Sequence, residues 1–381
     1  MKQKVGNVKF ILGKAGTGKT YLTIQSLKEM NKNILCLAYT HSAVNNMKDK
    51  LMSQNSLEVK SKFTFMTVHK YLKLPITKIV YHKLKDYLEF DIIVIDEFTL
   101  IPLDIINILF YLSDKRKSTQ FIFIGDLLQL PCIEKKTKNP RMVIKQDIPH
   151  FKKSIDIDFN EAIDIINHLN KTIYFSKYFI NNDKLILKYN YRQNEYCGKI
   201  IYDILVNKNI KLIDRNELKE LKNEGYTVLA SRYKYLETIY LFQNDYYPDT
   251  ESSKTIDSKI GPIKVNLGDE LVANESIEEM DLLNGEIYKV NDLNDELLLK
   301  HSKQLLPKNY LTVHKAQGKT INKIIVCVDG MFELTMFYTA LTRAKEDIKL
   351  FSISTWDEKM EDKLNTEMKI FNNLENVIYN N

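Results

Sequence analysis

Residues 8–20 read VKFILGKAGTGKT. An apolar run of strand length, Val8 to Leu12, gives way to a segment holding three of the chain's 12 glycines, at 13, 16 and 18. Gly13, Gly18, Lys19 and Thr20 fit the G-x-x-x-x-G-K-[ST] phosphate loop. Glycines there let backbone N–H groups turn toward phosphate oxygens, and the helix that follows offers its positive N-terminus. Lys19 is placed for the β- and γ-phosphates and Thr20 for a Mg²⁺ ion. Gly13, Gly16, Gly18, Lys19 and Thr20 are therefore the nucleotide-binding candidates, with ATP and Mg²⁺ as the expected ligands.

Working outward, Ile34 to Ala38, Ile92 to Ile95 and Phe121 to Ile124 are further bounded aliphatic runs. Strands buried on both faces of a parallel sheet read this way. Helical stretches near 18–30, 42–53 and 102–112 alternate with them, which predicts an α/β doubly wound domain. The α/β pattern returns with Leu185 to Leu187, a helix after Arg192 and a strand over Thr227 to Ala230. It breaks off from 234 to 308, where NLGDELVANES and LLNGEIYKVND alternate polar and apolar residues between Gly261, Gly268 and Gly285. A small antiparallel β insertion is expected there. Ile324 to Val328, a helix over 333–343 and Ile348 to Ile353 then resume the second domain. The expected domains are 1–175, then 176–233 with 309–381, and the inserted module 234–308.

Bulk properties narrow the class. A chain of 381 residues with 44% hydrophobic and 27% charged residues is normal for a globular protein. No apolar run is long enough to span a bilayer. The run Phe10 to Leu12 is too short for a signal peptide, so a soluble, intracellular protein (cytoplasm or nucleus) with no membrane partner is expected. Cys36, Cys132, Cys197 and Cys327 are far apart and read as buried thiols rather than disulfides or a zinc site. The net charge of +6 fits a nucleic-acid partner but does not require one. Only six of the 55 basic residues are arginine, so where arginine occurs its planar fork matters more than its charge.

Two carboxylates and a glutamine follow the next strands. IIVIDEF (92–98) delivers Asp96, a candidate Mg²⁺ ligand, and Glu97, a candidate general base for the attacking water. An Asp-Glu pair alone is ordinary surface chemistry; a pair emerging from a four-residue aliphatic strand is not. FIFIGDLLQLP (121–131) ends in Gly125, Asp126 and Gln129, and Gln129 is a candidate to sense the γ-phosphate or the lytic water.

These blocks, in this order with LAYTHSA (37–43), TVHKYL (67–72), YNYRQ (189–193), TVHKAQGKT (312–320) and YTALTRAK (338–345), resemble superfamily 1 helicases of the RecD-like, phage Dda-like branch. The resemblance runs from residue 7 to about 355. It implies two RecA-like P-loop domains with a small SH3-like β insertion in the second, and ATP hydrolysis in a cleft between the two. TVHKAQGKT repeats the GKT ending but has Val313 where a phosphate loop needs glycine, so it is not a second ATP site. Carried over, Thr312 and His314 would touch the strand while Gln317 and Gly318 face the phosphates. Arg192 and Arg343 would act as fingers on the γ-phosphate, completing a catalytic set of Lys19, Glu97, Gln129, Arg192 and Arg343. Thr40, His41, Thr67 and His69 would meet the strand backbone from the first domain.

The implied activity is an ATP-driven helicase on single-stranded DNA, moving 5′→3′ and working as a monomer alongside replication or repair proteins. The alternatives are a superfamily 1 RNA helicase and a non-unwinding, ATP-switched binding module. Two departures stand out. Only 73–91 is available for a strand-separating wedge. Gln3 is the single glutamine upstream of the loop that could read an adenine edge, which predicts relaxed base selectivity.

Overall fold

The computed structural model describes residues 7–52, 61–73, 90–131, 168–169, 176–244, 249–282, 284–331, 334–355 and 358–380. The chain divides into two compact units, Met1–Tyr191 with Ile370–Asn381, and Arg192–Lys369.

In the first unit the aliphatic runs become β1 (Val8–Gly13), β2 (Ile34–Ala38), β3 (Phe63–Thr67), β4 (Ile92–Ile95), β5 (Gln120–Gly125) and β6 (Lys184–Leu187). They form one sheet in the order β3-β2-β4-β5-β1-β6, and every pairing is parallel. The helices are α1 (Lys19–Lys28), α2 (His41–Met52), α3 (Val68–Tyr71), α4 (Leu103–Lys115) and α5 (Lys177–Asn181). α2 starts where the Thr40 hydroxyl accepts from Ala43 N–H at 3.2 Å. It buries Val44, Met47 and Leu51, spaced to lie on one face. One aliphatic core gathers Ile11, Ile24, Cys36, Met47 and Val94. A second core is aromatic, with the Phe10 ring between 5.0 and 6.5 Å from those of Phe98, Phe110, Phe123 and Phe179. Truncating Phe10 to alanine would cost about 3–5 kcal/mol.

In the second unit β7 (Leu212–Ile213) and β8 (Tyr226–Ala230) precede an antiparallel region made of β9 (Ser253–Ser258), β10 (Gly261–Asn266), β11 (Glu270–Ala273), β12 (Ile287–Lys289) and β13 (Leu305–Pro307). The chain returns through β14 (Tyr310–Thr312), β15 (Ile321–Cys327) and β16 (Ala344–Phe351). A parallel sheet runs β14-β8-β15-β16-β7, while β10-β9 and β12-β11-β13 are separate antiparallel sheets. The helices are α6 (Glu195–Leu205), α7 (Arg215–Glu220), α8 (Tyr233–Gln243), α9 (Glu296–His301), α10 (Val313–Ala316), α11 (Leu334–Leu341) and α12 (Glu358–Glu375).

The expected domain limits differ from this in three ways. Lys184–Leu187 does not open the second domain, because it pairs with β1 in the register Phe10↔Lys184 and edges the first sheet. Residues 370–381 fold with the first unit. α8, placed in the insertion by sequence, packs on β8 and β14 of the parallel sheet. The β region is also less separate than expected. Ile256, Ile263, Val265, Leu271 and Leu298 share one core with Val228, Leu236 and Ile325 of the α/β part. Removing 260–305 would open that core. The wedge expected at 73–91 falls almost wholly outside the described residues, as does Cys132; Cys36, Cys197 and Cys327 are buried thiols. Among the described residues no helix is long and apolar enough to cross a membrane.

Candidate functional site

Parallel strands place their C-terminal ends on one edge, and the registers Leu12↔Gly125 and Ile95↔Phe123 bring three of the sequence blocks together there. β1 runs into the glycine loop, and Gly18 (φ 72) caps α1 in a left-handed conformation that glycine adopts without strain. A Cβ on Gly13 would stand 2.6 Å from the Leu187 carbonyl oxygen, so the β6 edge also requires glycine there. The Lys19 ammonium is buried in the loop and donates to the carbonyls of Gly13 (2.8 Å) and Lys14 (2.9 Å). Those bonds hold the ammonium inside the curve where phosphate oxygens would compete for it.

Across the loop, the Thr20 hydroxyl lies 2.8 and 3.0 Å from the two Asp96 carboxylate oxygens. Burial, and next the charge of Glu97, raise the Asp96 carboxyl to about 6 against the pull of Lys50, Thr20 and Lys19. A hydroxyl touching a buried carboxylate at the end of the phosphate loop is the hard-oxygen donor set that Mg²⁺ takes together with substrate phosphates. The residues present fit the ion. Glu97 has φ 48 and ψ 46, a left-handed backbone rare outside glycine. Its Oε2 is buried with no hydrogen-bond partner among the described residues. A strained, under-bonded carboxylate at such a position suits a general base. Gln129 is buried, with its Nε2 3.4 Å from Asp126 Oδ2.

Sequence reasoning passed over Tyr191, having read only the arginine of YNYRQ. Tyr191 N–H donates to the Gly16 carbonyl at 2.7 Å, and Asn190 Nδ2 to that of Ala15 at 3.3 Å. The Tyr191 ring approaches within 3.5 Å of where a Gly18 Cβ would be, yet it is 70% exposed. An open aromatic face on the rim of the glycine loop makes Tyr191 a candidate surface for stacking a base. The 22 tyrosines of the chain hid this one.

In the second unit three blocks converge on one loop. Arg192 Nη1 donates to the Thr342 carbonyl at 2.8 Å, and Gln193 Nε2 to Thr342 and Ala344 at 3.3 and 3.2 Å. Arg343 is fully buried, its Nε donating to the Thr339 carbonyl at 3.1 Å. Its own carbonyl accepts from Ile321 N–H at 2.9 Å, just beyond Gln317 and Gly318. The two arginines expected to act together are thus held by one stretch, 339–344. In TVHKAQGKT, Lys315 donates to Asn274 O (2.6 Å) and Asn284 Oδ1 (2.7 Å) of the β region. Tyr233 hydroxyl donates to Asn274 Oδ1 at 2.6 Å and shares a hydrogen bond with Thr312. Burial pushes the Lys315 ammonium below its ordinary range.

The strand-contact candidates of the first unit are neighbours. The register Ala38↔Thr67 sets Thr40 and His41 beside Thr67 and His69. Thr40 and His41 are exposed. Thr67 is buried and caps α3, its hydroxyl accepting from Lys70 N–H at 3.3 Å. His69 packs on the Tyr39 ring at 5.1 Å, and burial lowers its pKa. His314 is half-buried and Thr312 buried, at the N-terminus of α10.

Residues 2–135 match the model of an AAA domain, and residues 213–352 that of the viral superfamily 1 RNA helicase core domain. The chain is 23% identical over 436 residues to the RecBCD enzyme subunit RecD of Buchnera aphidicola subsp. Schizaphis graminum, covering 91% of this chain and 71% of that one. Its counterpart from Buchnera aphidicola subsp. Acyrthosiphon pisum is 27% identical over 254 residues, 62% of this chain and 41% of that one. The chain is similar, along most of its length, to superfamily 1 helicases of RecD type. Superfamily 1 neighbours share the fold. Bacteroides Pif1 bound to ssDNA superposes with a TM-score of 0.54 at 19% identity, covering 93% of this chain and 90% of that one. Pif1 from Candida albicans gives 0.51 at 15% identity, covering 96% and 95%. These matches support an ATP-hydrolysing helicase, and the candidate nucleotide site is the one built on β1, β4 and β5.

Proposed function

We propose that the protein is an ATP-dependent helicase and translocase on single-stranded DNA, moving 5′→3′ as a monomer. The observation that carries this reading is the meeting of Lys19, the Thr20–Asp96 pair, Glu97 and Gln129 at the ends of three adjacent strands. Lys19 binds the β- and γ-phosphates of ATP. Thr20 and Asp96 would hold Mg²⁺, which supplies charge neutralisation across those phosphates. Glu97 takes the proton from the attacking water, and Gln129 orients that water and reads the γ-phosphate. Arg192 and Arg343 place planar guanidinium groups on the charge that develops as the phosphoryl group leaves. Tyr191 stacks on the base.

For the strand, Thr40, His41, Thr67, His69, Thr312 and His314 lie at or within two residues of helix starts, where backbone N–H groups and small donors suit phosphates without reading bases. The β region of 253–307 serves as the SH3-like module that helps grip the strand. DNA is preferred to RNA because RecD covers most of the chain and the Pif1 neighbour was solved on ssDNA. The match to a viral RNA helicase model favours the second reading, an RNA helicase. RecD is a subunit of a larger enzyme, so protein partners in replication or repair belong to the proposal. Strand displacement on duplexes with 5′ or 3′ tails, in DNA and RNA versions, tests it. Displacement only of 5′-tailed DNA supports the reading, and equal work on RNA shifts it to the second.

A further inference from the structure

Residues Ile370–Asn381 fold with the phosphate-loop unit, and Phe371, Leu374, Val377, Ile378 and Tyr379 are each at most 7% exposed. Two side chains four residues apart on this segment reach two different loops of the nucleotide site. Glu375 pairs with Lys14, inside GKAGTGKT. Tyr379 hydroxyl donates to Asp126 Oδ1 at 2.6 Å, in GDLLQLP, with both groups buried.

Asp126 organises its whole turn. Its Oδ1 also accepts from Leu128 N–H at 3.0 Å, its Oδ2 faces Gln129 Nε2 at 3.4 Å, and its carbonyl accepts from Gln129 N–H at 3.2 Å. A fully buried carboxylate depends on every donor it has, since water cannot replace one that is lost. Without the Tyr379 hydroxyl the carboxylate would rotate toward its remaining donors, and the Gln129 side chain would turn with it. The hydroxyl comes from 253 residues away in sequence, so the turn does not set this angle by itself.

We propose that Tyr379 is a positioning residue for ATP hydrolysis, fixing through Asp126 the orientation in which Gln129 meets the γ-phosphate and its water. This rests on the reading of Gln129 given above. Small displacements of a group that must meet a reacting atom reduce turnover far more than they reduce binding. A bond that served folding alone would lower thermal stability and leave turnover per folded molecule unchanged.

Tyr379→Phe keeps the ring and removes the hydroxyl. It is expected to lower the kcat of DNA-stimulated ATP hydrolysis about tenfold while KM for ATP stays within about twofold. In a Gln129→Ala background the same change should lower kcat by no more than about twofold, because the group it positions is gone. A kcat for Tyr379→Phe within twofold of the parent overturns the proposal, and so do effects that multiply in the double variant. If the parent protein shows no DNA-stimulated ATPase, the proposed function fails instead. Hydrogen exchange then decides the tie itself: Tyr379→Phe should speed exchange in residues 125–130 and leave α1 unchanged. Unaltered exchange at 125–130 overturns it.

Discussion

GKAGTGKT and TVHKAQGKT end in the same three residues and do opposite things with them. In the first, Gly18 (φ 72) opens a ten-residue helix, and the first N–H groups of a helix have no partner within it and point toward its N-terminal end. In the second, Gly318 has nearly the same φ, 77, but the short helix α10 lies before it and a strand after it. The Ile321 N–H is already bonded to the Arg343 carbonyl. Lys19 curls onto the carbonyls of its own loop, whereas Lys319 is half-buried and the burial it has pushes its ammonium below the ordinary range. A lysine after a left-handed glycine is therefore not enough. The helix that follows is what makes the first loop a candidate phosphate site.

The hardest test of this contrast is a pair of variants. Lys19→Ala should reduce ATP turnover by about a thousandfold or more. Lys319→Ala should leave the affinity for a fluorescent ATP analogue within about threefold, since no phosphate cradle is lost. Equal loss of nucleotide binding in both would collapse the distinction. Next in size, Arg192→Lys and Arg343→Lys should each lower kcat by roughly a hundredfold with little change in ATP affinity, because lysine keeps the charge and loses the fork. Near-normal kcat in both lysine variants would remove the fingers from the mechanism.

Base selectivity sharpens the comparison at the rim of the first loop. Gln3 lies outside the described residues, and the exposed ring of Tyr191 presents a face rather than hydrogen-bonding edges. GTP and CTP should support hydrolysis with kcat/KM within about tenfold of ATP, roughly 1.4 kcal/mol. Tyr191→Ala should raise KM for all four nucleotides alike. A strong ATP preference that disappears in Gln3→Ala would show a dedicated adenine reader. The smallest effect is expected at the other lysine of the loop. Lys14 pairs with Glu375 while 45% exposed, so Glu375→Gln should change stability by less than about 1 kcal/mol and kcat by less than twofold.

The legible parts of the chain were those whose chemistry is local. Four aliphatic runs bounded by turns read as buried parallel strands, and Gly13 to Thr20 carry their geometry in their own spacing. Asp96 and Glu97 were readable because a hydrophobic strand delivers them. What escaped depends on partners distant in sequence. Leu185 to Leu187 looks like any strand, and only its pairing with Phe10 to Gly13 assigns it to the first sheet. The insertion looked separable because alternation within it says nothing about Ile263 and Leu271 sharing a core with Val228 and Ile325. Tyr233 and Lys315 meet through Asn274, about forty residues from either. Tyr379 reaches Asp126 across most of the chain.

The left-handed backbone at Glu97 has a consequence for how this protein tolerates change. A non-glycine residue at φ 48 costs about 1–2 kcal/mol, and a buried carboxylate oxygen without a partner among the described residues adds to that. Glycine at 97 would relieve both and give back part of the gain as chain entropy, for a net rise in Tm of about 2–4 °C. That variant would melt later and hydrolyse nothing. A screen that rewards heat resistance alone would select against glutamate at 97; if Glu97 is the proposed general base, it persists only where turnover itself is under selection.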